Sequence, residues 1–300
     1  MTTRQPASPV VAFLVATAGI ALFSAMDAVL KGLSLAIGVY VALLWRNAAG
    51  ILFSGALWLR RGPRWPGRTA LRLHLLRGIV STVMAVLFFW GLARVPMGQA
   101  IALTHIAPLL ALFLAALLLK ERIGRRTVFA SLVALAGVAT ILYGQTQSQL
   151  GDAALLGALA VMASAVCYSY NIILMRQQAQ VAGPLEIAFF QSAIVTLLLA
   201  LAAPWLGSVP ALVHWPAILF AAALATASLL LLGWAYARAD ASYLAPTEYT
   251  AFLWASLLGY LVFGEVVSFW TVVGAVLIVG GCIWAARTPR IAPATVETSL

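Results

Sequence analysis

Two stretches decide the reading of this chain: Trp90-Gly91-Leu92-Ala93-Arg94 and Trp234-Ala235-Tyr236-Ala237-Arg238. They lie 144 residues apart, and the same shift aligns much else. Glu121 falls on Glu265, and Gly137 on Gly281. Asp27 meets Asn171, Asn47 meets Gln191, and Thr104-His105 meets Glu248-Tyr249. Each match alone is weak, but one offset that lays apolar segment on apolar segment argues for a duplicated chain.

The segments being duplicated are membrane spans. Of the 300 residues, 64% are hydrophobic and 9% are charged, whereas a soluble domain carries about 25% charged residues. A spanning helix needs about 20 apolar residues. Ten segments meet that need: Val10–Leu30, Ser34–Leu59, Leu73–Ala93, Met97–Leu119, Thr127–Tyr143, Ala153–Met175, Pro184–Ala203, Ala211–Ala235, Ser242–Phe263 and Ser268–Ala286. Five fall in each copy. An odd number inserts the copies with opposite orientation, the inverted-repeat plan of many carriers, whose sites lie at the repeat interface near mid-membrane. The expected fold is an all-α membrane protein of ten transmembrane helices, in two inverted five-helix repeats around a central cavity. Residues 10–144 and 153–286 form the copies, 145–152 the linker, and 1–9 and 287–300 cytoplasmic tails.

Charge sets orientation. The net charge of +10 does not signal nucleic acid, because the basic residues sit between apolar segments as topology signals. With the N-terminus inside, fourteen of the 18 Lys and Arg residues flank cytoplasmic ends. Lys31 and Arg94 mark outer ends, and Arg46 and Arg77 stay within membrane segments. Both termini are therefore expected in the cytoplasm, in a bacterial inner membrane. The first apolar segment is too long for a typical signal-peptide core and reads as a retained helix. Cys167 and Cys282 lie in separate apolar segments and read as small core residues.

Ionisable groups inside hydrocarbon are functional hypotheses by default. Asp27 and Lys31 are one helical turn apart, and read either as a local ion pair or as part of a binding or gating site. Arg46 reads either as a partner of Asp27 or as a fork for a substrate carboxylate or phosphate. Arg77 either snorkels to the cytoplasmic surface or binds. Thr104, His105, Glu248 and Tyr249 lie near Pro108 and Pro246, where a missing backbone donor leaves irregular backbone that suits a cavity lining. Trp90 and Trp234 read as interface belt or as closures at opposite mouths. Asn47, Asn171 and Gln191 complete the candidate substrate-binding set through their repeat matches. Burial should make Glu248 proton-responsive, with His105 as a partner for proton coupling.

The chain resembles the drug/metabolite transporter superfamily, in its EamA-type ten-helix branch. The resemblance rests on Met26-Asp27-Ala28-Val29-Leu30-Lys31, Arg46-Asn47, His74-Leu75-Leu76-Arg77-Gly78, Ala107-Pro108, Leu119-Lys120-Glu121-Arg122 and Gly264-Glu265. It covers residues 10 to 286. It implies a secondary transporter of small metabolites: an exporter of amino acids or related compounds, or an uptake carrier for S-adenosylmethionine or another nucleoside- or vitamin-like compound. The expected partners are a small-molecule substrate and the lipid bilayer; no cofactor and no catalytic or metal site is expected. An intramembrane enzyme is the rival class, but the chain has no metal-binding, nucleophile-elbow or phosphate-loop motif to support it. A channel would want a carbonyl filter or a charged ring.

Overall fold

A computed structural model describes residues 9–60, 62, 65–119, 125–146, 151–236, 238–239 and 241–286. Arg4, Arg61, Arg64, Lys120, Glu121, Arg122, Ala237, Arg287 and Arg290, with the linker around Gln147, lie outside them.

The described chain is all helical: α1 (Pro9–Ile37), α2 (Val39–Leu59), α3 (Arg68–Leu92), α4 (Met97–Thr104), α5 (Ala107–Leu119), α6 (Arg125–Thr146), α7 (Gly151–Ala179), α8 (Pro184–Ala200), α9 (Ala203–Leu206), α10 (Trp215–Tyr236), α11 (Ala241–Phe263) and α12 (Phe269–Ala286). Among the described residues, five helices are long and apolar enough to cross a membrane: 10–37, 39–59, 68–92, 151–179 and 212–236. Shorter apolar helices occupy 97–111, 128–144, 184–200 and 269–284. Large apolar side chains cover the outer faces; Leu52 is 69% exposed and Val276 66%. Such a surface suits lipid rather than water.

Several boundaries differ from the sequence reading. The first helix runs on to Ile37, because Gly38 supplies the turn with φ 83°, a conformation costly for residues with a Cβ. The third starts at Arg68 rather than Leu73, so Arg68 and Arg72 ride on its first turns. The eighth begins with a single 3-10 turn, Leu212–His214, before α10.

The expected fourth helix, Met97–Leu119, is broken into α4 and α5. Pro108 has no N–H to give the Thr104 carbonyl and its ring crowds that oxygen. The chain tightens there, with His105 N–H donating to the Ala102 carbonyl and Ile106 N–H to the Leu103 carbonyl. Pro246 lies inside α11 without breaking it.

Packing pairs elements from the two halves of the chain. α1 packs on α10 and α3 on α7, α1 on α11 and α5 on α7, α2 on α8, and α6 on α12. The last pair touches backbone to backbone. A Cβ on Gly137 would lie 2.6 Å from the Gly274 carbonyl, and one on Gly281 2.7 Å from that of Ala130. Small residues allow such close crossings in lipid.

Candidate functional site

The polar side chains of the bundle fall into three clusters. The first spans α1, α2 and α8. Asp27 is buried, and Arg46 on α2 is its opposite charge. Among the described residues no ion pair within 4.0 Å joins them. Instead an Nη1 of Arg46 donates to Asn47 Oδ1 at 3.2 Å, and Asn47 Nδ2 donates to the Leu43 carbonyl at 2.8 Å. Arg46 Nε is buried with no partner, as is Gln191 Oε1 on α8. Arg46 is the eighth residue of α2, roughly 10 Å from its start at 1.5 Å per residue. That is nearer the helix start than a helix beginning at Ser34 would put it.

The second cluster spans α3, α7 and α8. Arg77 does not snorkel. Its Nε donates to Asn171 Oδ1 at 3.0 Å and its Nη1 to Gln178 Oε1 at 2.6 Å. Asn171 Nδ2 reaches Ser81 Oγ at 3.1 Å. Gln178 Nε2 meets His74 Nδ1, and His74 Nε2 meets Glu186 Oε1 at 3.0 Å. His74, Ser81, Glu186 and Gln178 escaped the sequence reading as site residues. A signal existed: His74, Arg77 and Ser81 repeat at i, i+3 and i+7 on α3, and Asn171 and Gln178 at i and i+7 on α7, so each set forms one stripe.

The third cluster joins α4, α10, α11 and α12. Glu248 is exposed in the bare chain and accepts the Tyr236 hydroxyl at 3.0 Å. His105 sits at the α4–α5 break with Nδ1 2.8 Å from the Ile101 carbonyl. Its Nε2 lies 3.4 Å from the backbone carbonyl of Glu248, not from its carboxylate. Tyr249 rests 5.6 Å from the His105 ring, and Cys282 Sγ donates to the His105 carbonyl at 3.1 Å. Thr104 Oγ1 donates back to the Ile101 carbonyl. Tyr168 on α7 interacts electrostatically with both Glu248 and Arg77, which brings the second and third clusters into one neighbourhood.

One expectation changes. Lys31 is not the helical partner of Asp27. It pairs with Glu265 and donates to the Val95 carbonyl at 2.8 Å. The other oxygen of Glu265 accepts the Met97 N–H at 2.8 Å, at the first residue of α4. A carboxylate there satisfies an orphan donor and suits the helix dipole. Gly264, at φ 68°, turns the chain to place it. Trp90 and Trp234 each carry a stacked guanidinium. Arg94 lies 3.6 Å from the Trp90 ring and Arg238 4.1 Å from that of Trp234, and each donates to the carbonyl of its own Trp.

A cleft of about 430 Å³ opens between α3 and α7, lined by Thr69, Arg72, Leu73, Leu76, Gln177, Gln180 and Val181. None of the predicted site residues lines it.

The model of the EamA-like transporter family matches this chain twice, over residues 10–143 and 155–287. The pseudopaline exporter CntI of Pseudomonas aeruginosa is 29% identical over 272 residues, 89% of this chain and 93% of that protein. A riboflavin transporter of Rhizobium johnstonii is 30% identical over 294 residues, 94% of this chain and 93% of that protein. A solved crystal structure, 22% identical, superposes with a TM-score of 0.61 over 93% of this chain and 97% of its own. It shares the fold. The apolar helical bundle and these matches lead to one conclusion: the chain belongs to the EamA-like transporter family, a multi-pass membrane transporter of small molecules and not an enzyme.

Proposed function

We propose that this transporter is an alternating-access carrier that exports amino acids or related carboxylate-bearing metabolites across a bacterial inner membrane. The observation that carries the reading is Arg46. A guanidinium within a membrane helix needs a partner or a watery cavity, and this one has a buried Nε with none. Its planar fork suits a carboxylate, while Asp27, opposite in charge and not bonded to it, suits an ammonium. Asn47 and Gln191 supply polar contacts beside them. Arg77, Asn171, Glu248, Tyr249, Thr104 and His105 line the rest of the path, and Trp90 and Trp234 stand toward its two mouths. The relative that exports pseudopaline supports the outward direction.

The scaffold in this reading is ten spanning helices in two inverted copies, with both termini cytoplasmic. Its support is the exchange of contacts between halves. α1 on α10 mirrors α3 on α7, α1 on α11 mirrors α5 on α7, and α2–α8 and α6–α12 map onto themselves. The Arg–Trp stacks and the glycine crossings recur at the same offset. The family model also matches twice. Glu248 is the proposed proton-responsive group of the path.

A second reading is uptake of a vitamin- or nucleoside-like compound, favoured by the riboflavin-transporting relatives. Counterflow in proteoliposomes decides between them. Amino acids, riboflavin and S-adenosylmethionine are tested with and without a pH gradient, against Arg46→Gln at matched folding. Amino-acid counterflow lost in Arg46→Gln supports the first reading. Riboflavin or S-adenosylmethionine counterflow alone supports the second. Unchanged substrate affinity in the variant removes Arg46 from the site.

A further inference from the structure

The side-chain chain between α3 and α7 has a direction, and Arg77 sets it. A guanidinium has donors only. Gln178 must therefore turn its oxygen to Arg77 Nη1, 2.6 Å away. Its amide nitrogen then donates to His74 Nδ1. An accepting Nδ1 carries no proton, so the neutral imidazole holds its hydrogen on Nε2 and donates it to Glu186 Oε1 at 3.0 Å. On the other arm, Arg77 Nε donates to Asn171 Oδ1, which turns the Asn171 amide nitrogen to Ser81 Oγ. Every amide orientation follows from one cation.

A further proton on the imidazole has one place to go, Nδ1, where it meets the Gln178 NH2. Gln178 can release His74, or it can flip. Flipping sets donor against donor at Arg77. Either way a bond between α3 and α7 is lost. The bond from α3 to α8 is strengthened, because His74 and Glu186 become an ion pair. The Phe190 ring on α8, stacked on the imidazole at 4.7 Å and 17°, also favours a cation.

Among the described contacts the one other acceptor for that proton beside His74 is the Glu186 carboxylate. Glu186 faces His74 from α8, and Gln178 from α7 relays Arg77. Tyr168 on α7 is near enough to Arg77 to interact with it electrostatically. On α1 and α2, Asp27 and Arg46 are each other's electrostatic partners, and on α4 the nitrogens of His105 at its end face backbone carbonyls. His74 is wholly buried, but Glu186 is 18% exposed and gives the proton a way in.

We propose that His74 is a proton-binding site of this carrier, at which one proton breaks the Gln178 link between α3 and α7 and, through Gln178, reorganises the contacts of Arg77. The proposal rests on the transporter reading for its purpose, but its test does not use a substrate. Full-length protein with 15N-labelled histidine and arginine is placed in nanodiscs and followed by NMR from about pH 5 to pH 8. The chain has three histidines, and His74→Gln assigns the signal; Arg77→Lys assigns the guanidinium. At the alkaline end His74 is the Nε2–H tautomer. When His74 takes up the proton, the Arg77 Nε signal moves in step with the His74 signal. In Gln178→Leu the His74 transition persists and the Arg77 response is lost. An Nδ1–H tautomer, no His74 transition in the window, or an Arg77 signal that ignores His74 overturns the proposal. So does an Arg77 response that survives in Gln178→Leu. Failure of the carrier reading shows separately, as absence of counterflow with any compound.

Discussion

The seam between α3 and α7 and the seam between α1 and α10 are counterparts under the 144-residue shift, yet their chemistry is opposite. On α3, His74, Arg77 and Ser81 face Asn171 and Gln178 of α7 through a continuous set of hydrogen bonds. The matching positions on α10 are Ile218, Ala221 and Ala225, with Ile218 and Ala221 fully buried. At the matching positions α1 carries Asp27 and Ser34 where α7 carries Asn171 and Gln178. Ser34 Oγ has no partner. Two helices can thus cross in the same way with or without a polar network. The crossing is set by small and apolar contact, and the network sits on top of it. One consequence concerns Asp27: among the described residues the hydrogen bond across its seam runs from Ser228 Oγ to the Gly19 carbonyl and not to Asp27, which leaves Asp27 to Arg46 and to a ligand.

A second difference lies at the helix ends. Lys31 of the first half pairs with Glu265 of the second, while the residue matched to Lys31 in the second half is Met175. Lys31→Met makes the halves alike, and is the largest effect expected. It takes the cation from Glu265, which keeps the Met97 N–H; breaking a fully buried pair costs about 3–5 kcal/mol, and with Glu265 18% exposed the loss should fall at the low end of that range. Melting of purified protein in detergent measures it. A melting temperature equal to wild type would show that the pair contributes nothing and that the halves are energetically equivalent there.

The next test compares the seams directly. A double-mutant cycle on Arg77→Met and Gln178→Leu should give a coupling of about 2 kcal/mol, since hydrogen bonds to charged groups are worth about 1.5–3. The same cycle on Ile218→Ala and Ser34→Ala should give a coupling near zero. Equal couplings would erase the contrast between the seams.

The smallest effect sharpens the likeness rather than the contrast. Arg94→Ala and Arg238→Ala each remove a guanidinium stacked on a tryptophan. Each should cost about 0.5–1 kcal/mol, the range for an exposed cation–π contact. Costs that differ by more than about that amount would mean that the two stacks serve different purposes.

Much of the architecture could be read from residue order, because lipid leaves the chain few options. Backbone groups in hydrocarbon must be satisfied within the segment, so long apolar runs become helices. Pro108 likewise announces a local defect through its missing donor, and the α4–α5 break lies next to it. Side-chain partners are another matter. The spacing of Asp27 and Lys31 suggested an ion pair, and the fold takes Lys31 to Glu265, 234 residues away. His74 looked like part of a motif, and only the approach of α7 and α8 makes it the hinge of a hydrogen-bond chain. Helix formation depends on neighbours a few residues apart and on the solvent, which composition reveals. Pairing depends on which faces meet after packing, and a buried donor takes whichever acceptor the tertiary structure places within about 3 Å. The sequence by itself therefore determined the class, the all-helical character and the repeat offset on which the two-copy reading rests. Only the tertiary structure decided that Arg77 is held, that Lys31 is claimed by Glu265, and that Arg46 keeps a buried nitrogen unpartnered.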